Sequence, residues 1–110
     1  MKKFNKAAAT YPEAYEEVAG RGFTIALRLL DEKLGGANAS AFLAKELQRD
    51  VIQIDSYRKI GIPHHLGSKV MDILRKRGVR LGIHQLVPTM AIVESHIAQK
   101  EAAKASAKGG

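Results

Sequence analysis

Arg49 and Gln53 sit four residues apart in the stretch LAKELQRDVIQIDSYRKIGIP, which runs from Leu43 to Pro63. Both side chains carry paired hydrogen-bonding groups that match purine edges, and both can grip phosphate. Arg58 and Lys59 follow, with chemistry suited to holding a backbone phosphate in place. The stretch reads as a short helix, a tight turn, a second short helix and a stop at Gly61-Ile62-Pro63. That is the outline of a helix-turn-helix, a module that lays its second helix in the DNA major groove.

Other chemistries find little support. The four His make no metal site: His64 and His65 are adjacent and diverge on any regular element. His84 and His96 lie far off, with no Glu or Asp at a matching spacing. There is no Cys, which excludes disulfides and Cys-based metal sites. No Ser–His–Asp set, paired-carboxylate cleft or phosphate-cradling Gly loop is present. No catalytic residue, cofactor, metal or small-molecule ligand is therefore expected, and an enzyme is not.

The elements that must position these residues follow from length and patterning. The 110 residues suffice for one domain with a modest core, and 45% are hydrophobic. Aromatics are 5% with no Trp, so aliphatic side chains must fill that core. The net charge of +7 favours a polyanionic partner, nucleic acid above all or an anionic membrane. The start, MKKFNKAAATYPEAYEE, resembles the charged end of a signal peptide, but EAYEE arrives where an apolar run would be needed. No segment is long and apolar enough to span a membrane. The expectation is a cytosolic protein.

Residues 1–9, with Lys2, Lys3 and Lys6, read as a mobile basic arm. Thr10 and Glu13 are spaced as a capping box for a helix ending near Ala19, and Gly20 and Gly22 predict a break or bend after it. Phe23, Leu27, Leu30 and Leu34 recur at helical spacing up to a stop at Gly35-Gly36. Asn38 or Ser40 can cap the next helix, which carries Phe42, Leu43 and Leu47. Asp50 can cap a third, with Val51, Ile54 and Tyr57 as its buried face. Leu66, Val70, Ile73 and Leu74 mark a fourth, stopped by Gly78, with Arg75, Lys76 and Arg77 as a solvated end. GVRLGIHQLVP reads as an extended stretch or a turn-like connection. Pro88 opens a last helix with Met90, Val93 and Ile97 on one side. From Lys100 on, with Lys104 and Lys108, a fraying tail is expected.

Geometry within the central pair is specific. Two short helices that cross near a turn need a small residue midway along the first, and Ala44 fills that place. Leu43, Leu47, Ile54 and Tyr57 sit where they would lock the pair. The Ala-bearing helix, the turn, Ile-x-x-Tyr, two basic residues and Gly-Ile-Pro together resemble the Cro- and lambda-repressor-type helix-turn-helix. The likeness is strongest to small phage and prophage regulators ending in Trp-x-x-x-Gly-Ile-Pro. It extends back to Leu27–Leu30 and forward through Val70–Leu74 to Val79 and Gln85–Pro88, covering residues 23–88. Gln48 departs from the usual Gly of the turn, Arg49 from the apolar residue after it, and Tyr57 from the Trp.

The resemblance implies an all-α, lambda-repressor-like domain of about five helices over residues 23–88. Residues 1–22 form an N-terminal extension, and residues 89–110 form a C-terminal helix and basic tail. It implies a sequence-specific regulator of phage, prophage or plasmid type that binds double-stranded DNA and represses a promoter by occlusion. The DNA-facing positions it implies are Gln48, Arg49, Asp50, Ile52, Gln53, Asp55 and Ser56, with Lys45, Arg58 and Lys59 on phosphates. Ile52 would meet a thymine methyl. Asp50 is better explained as an N-cap, and Asp55 by pairing with Arg58 or Lys59 or accepting from cytosine. One such helix reads few bases, so a homodimer on an inverted repeat is expected, its seam at Met90, Val93 and Ile97 or at the N-terminal extension. Two alternatives stay open: an architectural DNA-binding protein of the recombination-directionality type, and a helical adaptor such as an antitoxin-like or virion subunit.

Overall fold

A computed structural model describes residues 6–36 and 38–108, and every regular element within them is a helix. In chain order these are α1 (Lys6–Thr10), α2 (Pro12–Lys33), α3 (Ala39–Leu47), α4 (Val51–Ile60), a 3-10 turn (His64–Leu66), α5 (Gly67–Lys76), α6 (Ile83–Leu86) and α7 (Met90–Lys108). Helix α2 is the central post: α1, α3, α4, α6 and α7 all pack against it.

The expected break at Gly20 and Gly22 is absent. Helix α2 runs unbroken through both, and the boundary drawn after residue 22 falls inside it. The two glycines serve close approach instead. A Cβ on Gly20 would stand 2.6 Å from the Arg58 carbonyl oxygen and 2.7 Å from that of Lys59, and one on Gly22 would overlap the Gln85 carbonyl oxygen. Gly61 completes the contact from the other side. Its φ is +83°, and a Cβ there would overlap the Ala19 side chain. The end of α4 and all of α6 thus lie directly on the α2 backbone.

The main core gathers Phe23, Leu27 and Leu30 from α2, Leu43 and Leu47 from α3, and Ile54 and Tyr57 from α4. Leu66, Val70, Leu74 and Leu86 close it from below. Tyr57 meets Phe23 edge-to-face, ring centres 6.0 Å apart and planes at 77°, a favoured aromatic geometry. Val51, expected in the same buried face, is 40% exposed. A three-residue step falls about 60° short of a full turn, so the 51–54–57 stripe rotates off the core at its far end.

Several helix ends differ from expectation. Thr10 ends α1 rather than capping α2; Tyr11 takes the N-cap position without a side-chain bond, and Pro12 opens the helix. Asn38 is the α3 cap, its Oδ1 accepting from the Ala41 N–H at 3.1 Å. Pro88 lies outside α7, whose Ile92 N–H donates to Thr89 Oγ1 at 3.3 Å. Val79–Gly82 carries no strand, and α6 follows it. The tail expected to fray continues as helix to Lys108, in keeping with its Ala and Lys content. Lys6 belongs to α1, while Lys2, Lys3 and the Lys108 side chain lie outside the described residues.

A second, smaller core joins Ala7, Tyr15, Ala19 and Val93, with Met90 and Ile97 packed against it. The face expected as a dimer seam is therefore partly covered by the chain's own α1 and α2, and Val93 is fully buried. Helix α7 is also held by charge. Glu17 accepts from Lys100 Nζ at 2.8 and 3.2 Å and faces His96 Nε2 at 2.9 Å. The His96 hydrogen bond first, and that of Lys100 second, hold the Glu17 carboxyl down from the ordinary 4.5 to about 2.

Two outcomes follow. The depressed Glu17 adds stability that is fully present above pH 4.5 and is lost as pH falls toward 2. Glu17→Gln should flatten this part of the acid limb in pH-dependent unfolding and raise amide exchange in α7; identical acid limbs would contradict the clamp. Gly22→Ala sets two effects against each other. Helix propensity favours Ala by about 1 kcal/mol, and overpacking costs about 1–3 kcal/mol. The overlap is with backbone, which yields poorly, so urea unfolding should show a less stable variant. A more stable one would mean that α6 does not rest on α2.

Candidate nucleic-acid interface

Helices α3 and α4 are joined by the turn Gln48-Arg49-Asp50. Ala44 is nearly buried where the pair meets, and Leu43, Leu47, Ile54 and Tyr57 are all buried between the pair and α2. The turn is fixed by two backbone bonds: the Gln48 N–H donates to the Lys45 carbonyl at 3.3 Å, and the Arg49 N–H to the Ala44 carbonyl at 2.8 Å. This pair of bonds is the Schellman closure, which needs a left-handed residue at its centre. The same closure ends α2 at Gly35 and α5 at Gly78. In the turn the left-handed residue is Gln48, with φ +55° and ψ +49°; among the described residues it alone combines a side chain with positive φ. The departure from Gly thus leaves the turn's form intact and loads it with a strain of about 1–2 kcal/mol.

The expected DNA-facing residues divide into two groups. Asp55 and Arg58 are drawn onto α3. Ser40, 3% exposed, donates through Oγ to Asp55 Oδ1 at 3.0 Å and accepts from Arg58 Nη2 at 3.2 Å, while Arg58 Nε lies 3.6 Å from the same carboxylate oxygen. This network satisfies a buried hydroxyl and fastens α4 to the start of α3, so the pairing reading of Asp55 is the one observed. Ser40 was legible only as a possible cap; its partners are 15 and 18 residues away.

Asp55 and Arg58 keep about half of their side-chain surface in solvent, and the second group faces outward with no hydrogen bond to Ser40. Lys45, Gln48, Asp50, Ile52, Gln53, Ser56 and Lys59 are exposed, and Arg49 is half-buried at the turn. Ile52 is 83% exposed, an unusual setting for a large aliphatic side chain. Asp50 holds the N-cap position of α4, and its backbone N–H donates to Gln53 Oε1 at 3.2 Å. Ser56 Oγ donates to the Gln53 carbonyl at 2.6 Å. Gln53 is thereby held in place by its amide oxygen. Arg28 lines an open cleft with Arg58, Thr24, Asp31 and Asn38 beside the start of α3.

The basic end of α5 is exposed, as expected, and makes two surface contacts. The Arg77 guanidinium lies over the Phe42 ring, 4.8 Å from its centre, and Lys76 pairs with Asp72 at 3.5 Å. Among the described residues no group of His, Asp or Glu is placed to hold a metal ion. In comparisons with protein-family models, curated proteins and solved structures, nothing matches this chain.

Relief of the strain at Gln48 is measurable. Gln48→Gly should raise stability by about 1 kcal/mol in urea unfolding, the left-handed penalty outweighing the extra entropy of Gly in the unfolded chain. A loss of stability would mean that the turn does not take the left-handed form.

Proposed function

We propose that this chain is a sequence-specific DNA-binding regulator of transcription with a lambda-repressor-like helix-turn-helix, in which α4 enters the major groove. The observation that carries this reading is the outward face of α4 and its turn. Ile52, Gln53 and Ser56 stand there beside Gln48 and Arg49, on a helix whose other side is locked to α2 and α3. Arg49 and Gln53 read base edges, Ile52 meets a thymine methyl, and Lys45 and Lys59 hold phosphates. The net charge of +7 supplies the long-range attraction. Occlusion of a promoter makes it a repressor of phage, prophage or plasmid type, acting in the bacterial cytosol or nucleoid. Among the described residues no helix is long and apolar enough to cross a membrane.

A homodimer on an inverted repeat remains part of the proposal, because α4 spans only ten residues. Of the three seam residues expected, Val93 is fully buried against α1 and α2, while Met90 and Ile97 are partly exposed. The exposure of Val51 and Ile52 favours one second reading, a helical adaptor that uses this face for a protein partner.

Selection of bound sites from random duplex DNA tests the proposal. An enriched inverted repeat is the expected result. On that site Arg49→Ala and Gln53→Ala should each cost about 1–3 kcal/mol. Lys59→Ala should weaken selected and random duplexes alike and reduce the salt dependence by about one phosphate contact. Removal of both Arg49 and Gln53 without loss would show that α4 is not the reading helix. A failure to enrich any sequence would favour the adaptor.

A further inference from the structure

We propose that the cleft between α1, the 3-10 turn and α6 binds a small phosphomonoester with an apolar body. The cleft has a volume of about 330 Å³ and is lined by Lys6, His64, His65 and His84, with the hydroxyl residues Ser68 and Thr89. Among the described residues, four groups that can carry positive charge thus face one space, and no carboxylate lines it. Lys69 and Asp72 on α5 and Glu94 on α7 all lie outside the lining. Ala7, Ile83, Val87 and Met90 supply an apolar floor.

The three imidazoles share the cleft without forming a group placed to hold a metal ion. They line one volume together with Lys6, and that set of groups suits an anion with a body behind it. A phosphomonoester brings about −1.5 to −2 charges and three acceptor oxygens to such a set of donors. The volume lies at the lower end of small-molecule sites, which run from about 300 to 1,000 Å³. His84 Nδ1 lies 3.4 Å from the Val87 carbonyl, which can only accept, so the ring is anchored to the rim of the cleft.

Position gives the cleft a consequence. Ala7 and Met90 belong to the smaller core, while Val87 belongs to the main one. A ligand here bridges the two and strengthens the docking of α1 and α7 on the body. Nothing in this depends on DNA binding, since the cleft shares no residue with the outward face of α4.

An amide NMR titration of the full chain with phenyl phosphate tests the site. Saturable shifts are expected at residues 64–68 and 83–90. Phenol, which lacks the charge, and inorganic phosphate, which lacks the body, should each bind at least about tenfold more weakly. The double variant His64→Ala, His65→Ala should lose about tenfold or more in affinity with an unchanged circular dichroism spectrum, as both side chains are exposed. A variant that failed to fold would be replaced by His64→Gln, His65→Gln, with the same expected loss. Absence of saturation, equal binding of phenol or inorganic phosphate, shifts confined to the α4 face, or affinity unaffected by either variant would overturn the proposal.

Discussion

Direct backbone contact across the glycine face of α2 is the constraint on which the rest of the structure depends. Gly20 admits the carbonyls at the end of α4, Gly22 admits α6, and Gly61 settles on Ala19. Each glycine inside a helix costs about 1 kcal/mol relative to Ala. That cost is offset by packing that side chains would prevent. Once the end of α4 is fixed on α2, Ile54 and Tyr57 must face the core, and the opposite side of the helix must face out. The Ser40, Asp55 and Arg58 network then fixes the helix against α3. The outward face of α4 is thus a consequence of how its inner face is held.

The turn adds a local contest between sequence and fold. Gln48 occupies a conformation that Gly takes more readily, and the Schellman bonds hold it there. The strain is of the size of one or two ordinary interactions, small against the burial of Leu43, Leu47, Ile54 and Tyr57 on either side. A side chain at this point also extends the exposed surface of the turn beyond what Gly would provide. Stability given up at Gln48 and apolar surface left in water at Ile52 fall within the same few residues. That coincidence is the physical reason for seeking function there.

Local patterns were legible where neighbours in sequence decide the outcome. The stops at Gly35 and Gly78, the Asn38 cap and the burial of Leu43, Leu47, Ile54 and Tyr57 all follow from helical spacing and capping rules. Features decided by distant residues were not. A Gly-x-Gly within a helix reads equally as a break or as a landing site, and the choice rests on residues 58, 59 and 85. The apolar side of α7 reads as spare until the short helix at Lys6–Thr10 is seen to cover part of it. Asp55 and Arg58 are exposed as their positions suggest, but their bonds to Ser40, far back in the chain, could not be read from the sequence. His84 looks remote from the adjacent His64 and His65 because only the fold brings it to the same cleft.

The charge clamp of Glu17 with His96 and Lys100 and the smaller core attach α7 to a body that is complete without it. The part that would read DNA and the part that carries the chain ends are therefore coupled mainly through α2. The most direct measurement of the central claim is an amide NMR map of the full chain on titration with a short duplex. The expected shifts concentrate at residue 45, the turn 48–50 and the outward positions 52, 53, 56 and 59, and leave the smaller core unmoved. Shifts absent from α4 and its turn, or spread evenly over the basic surface, would contradict it.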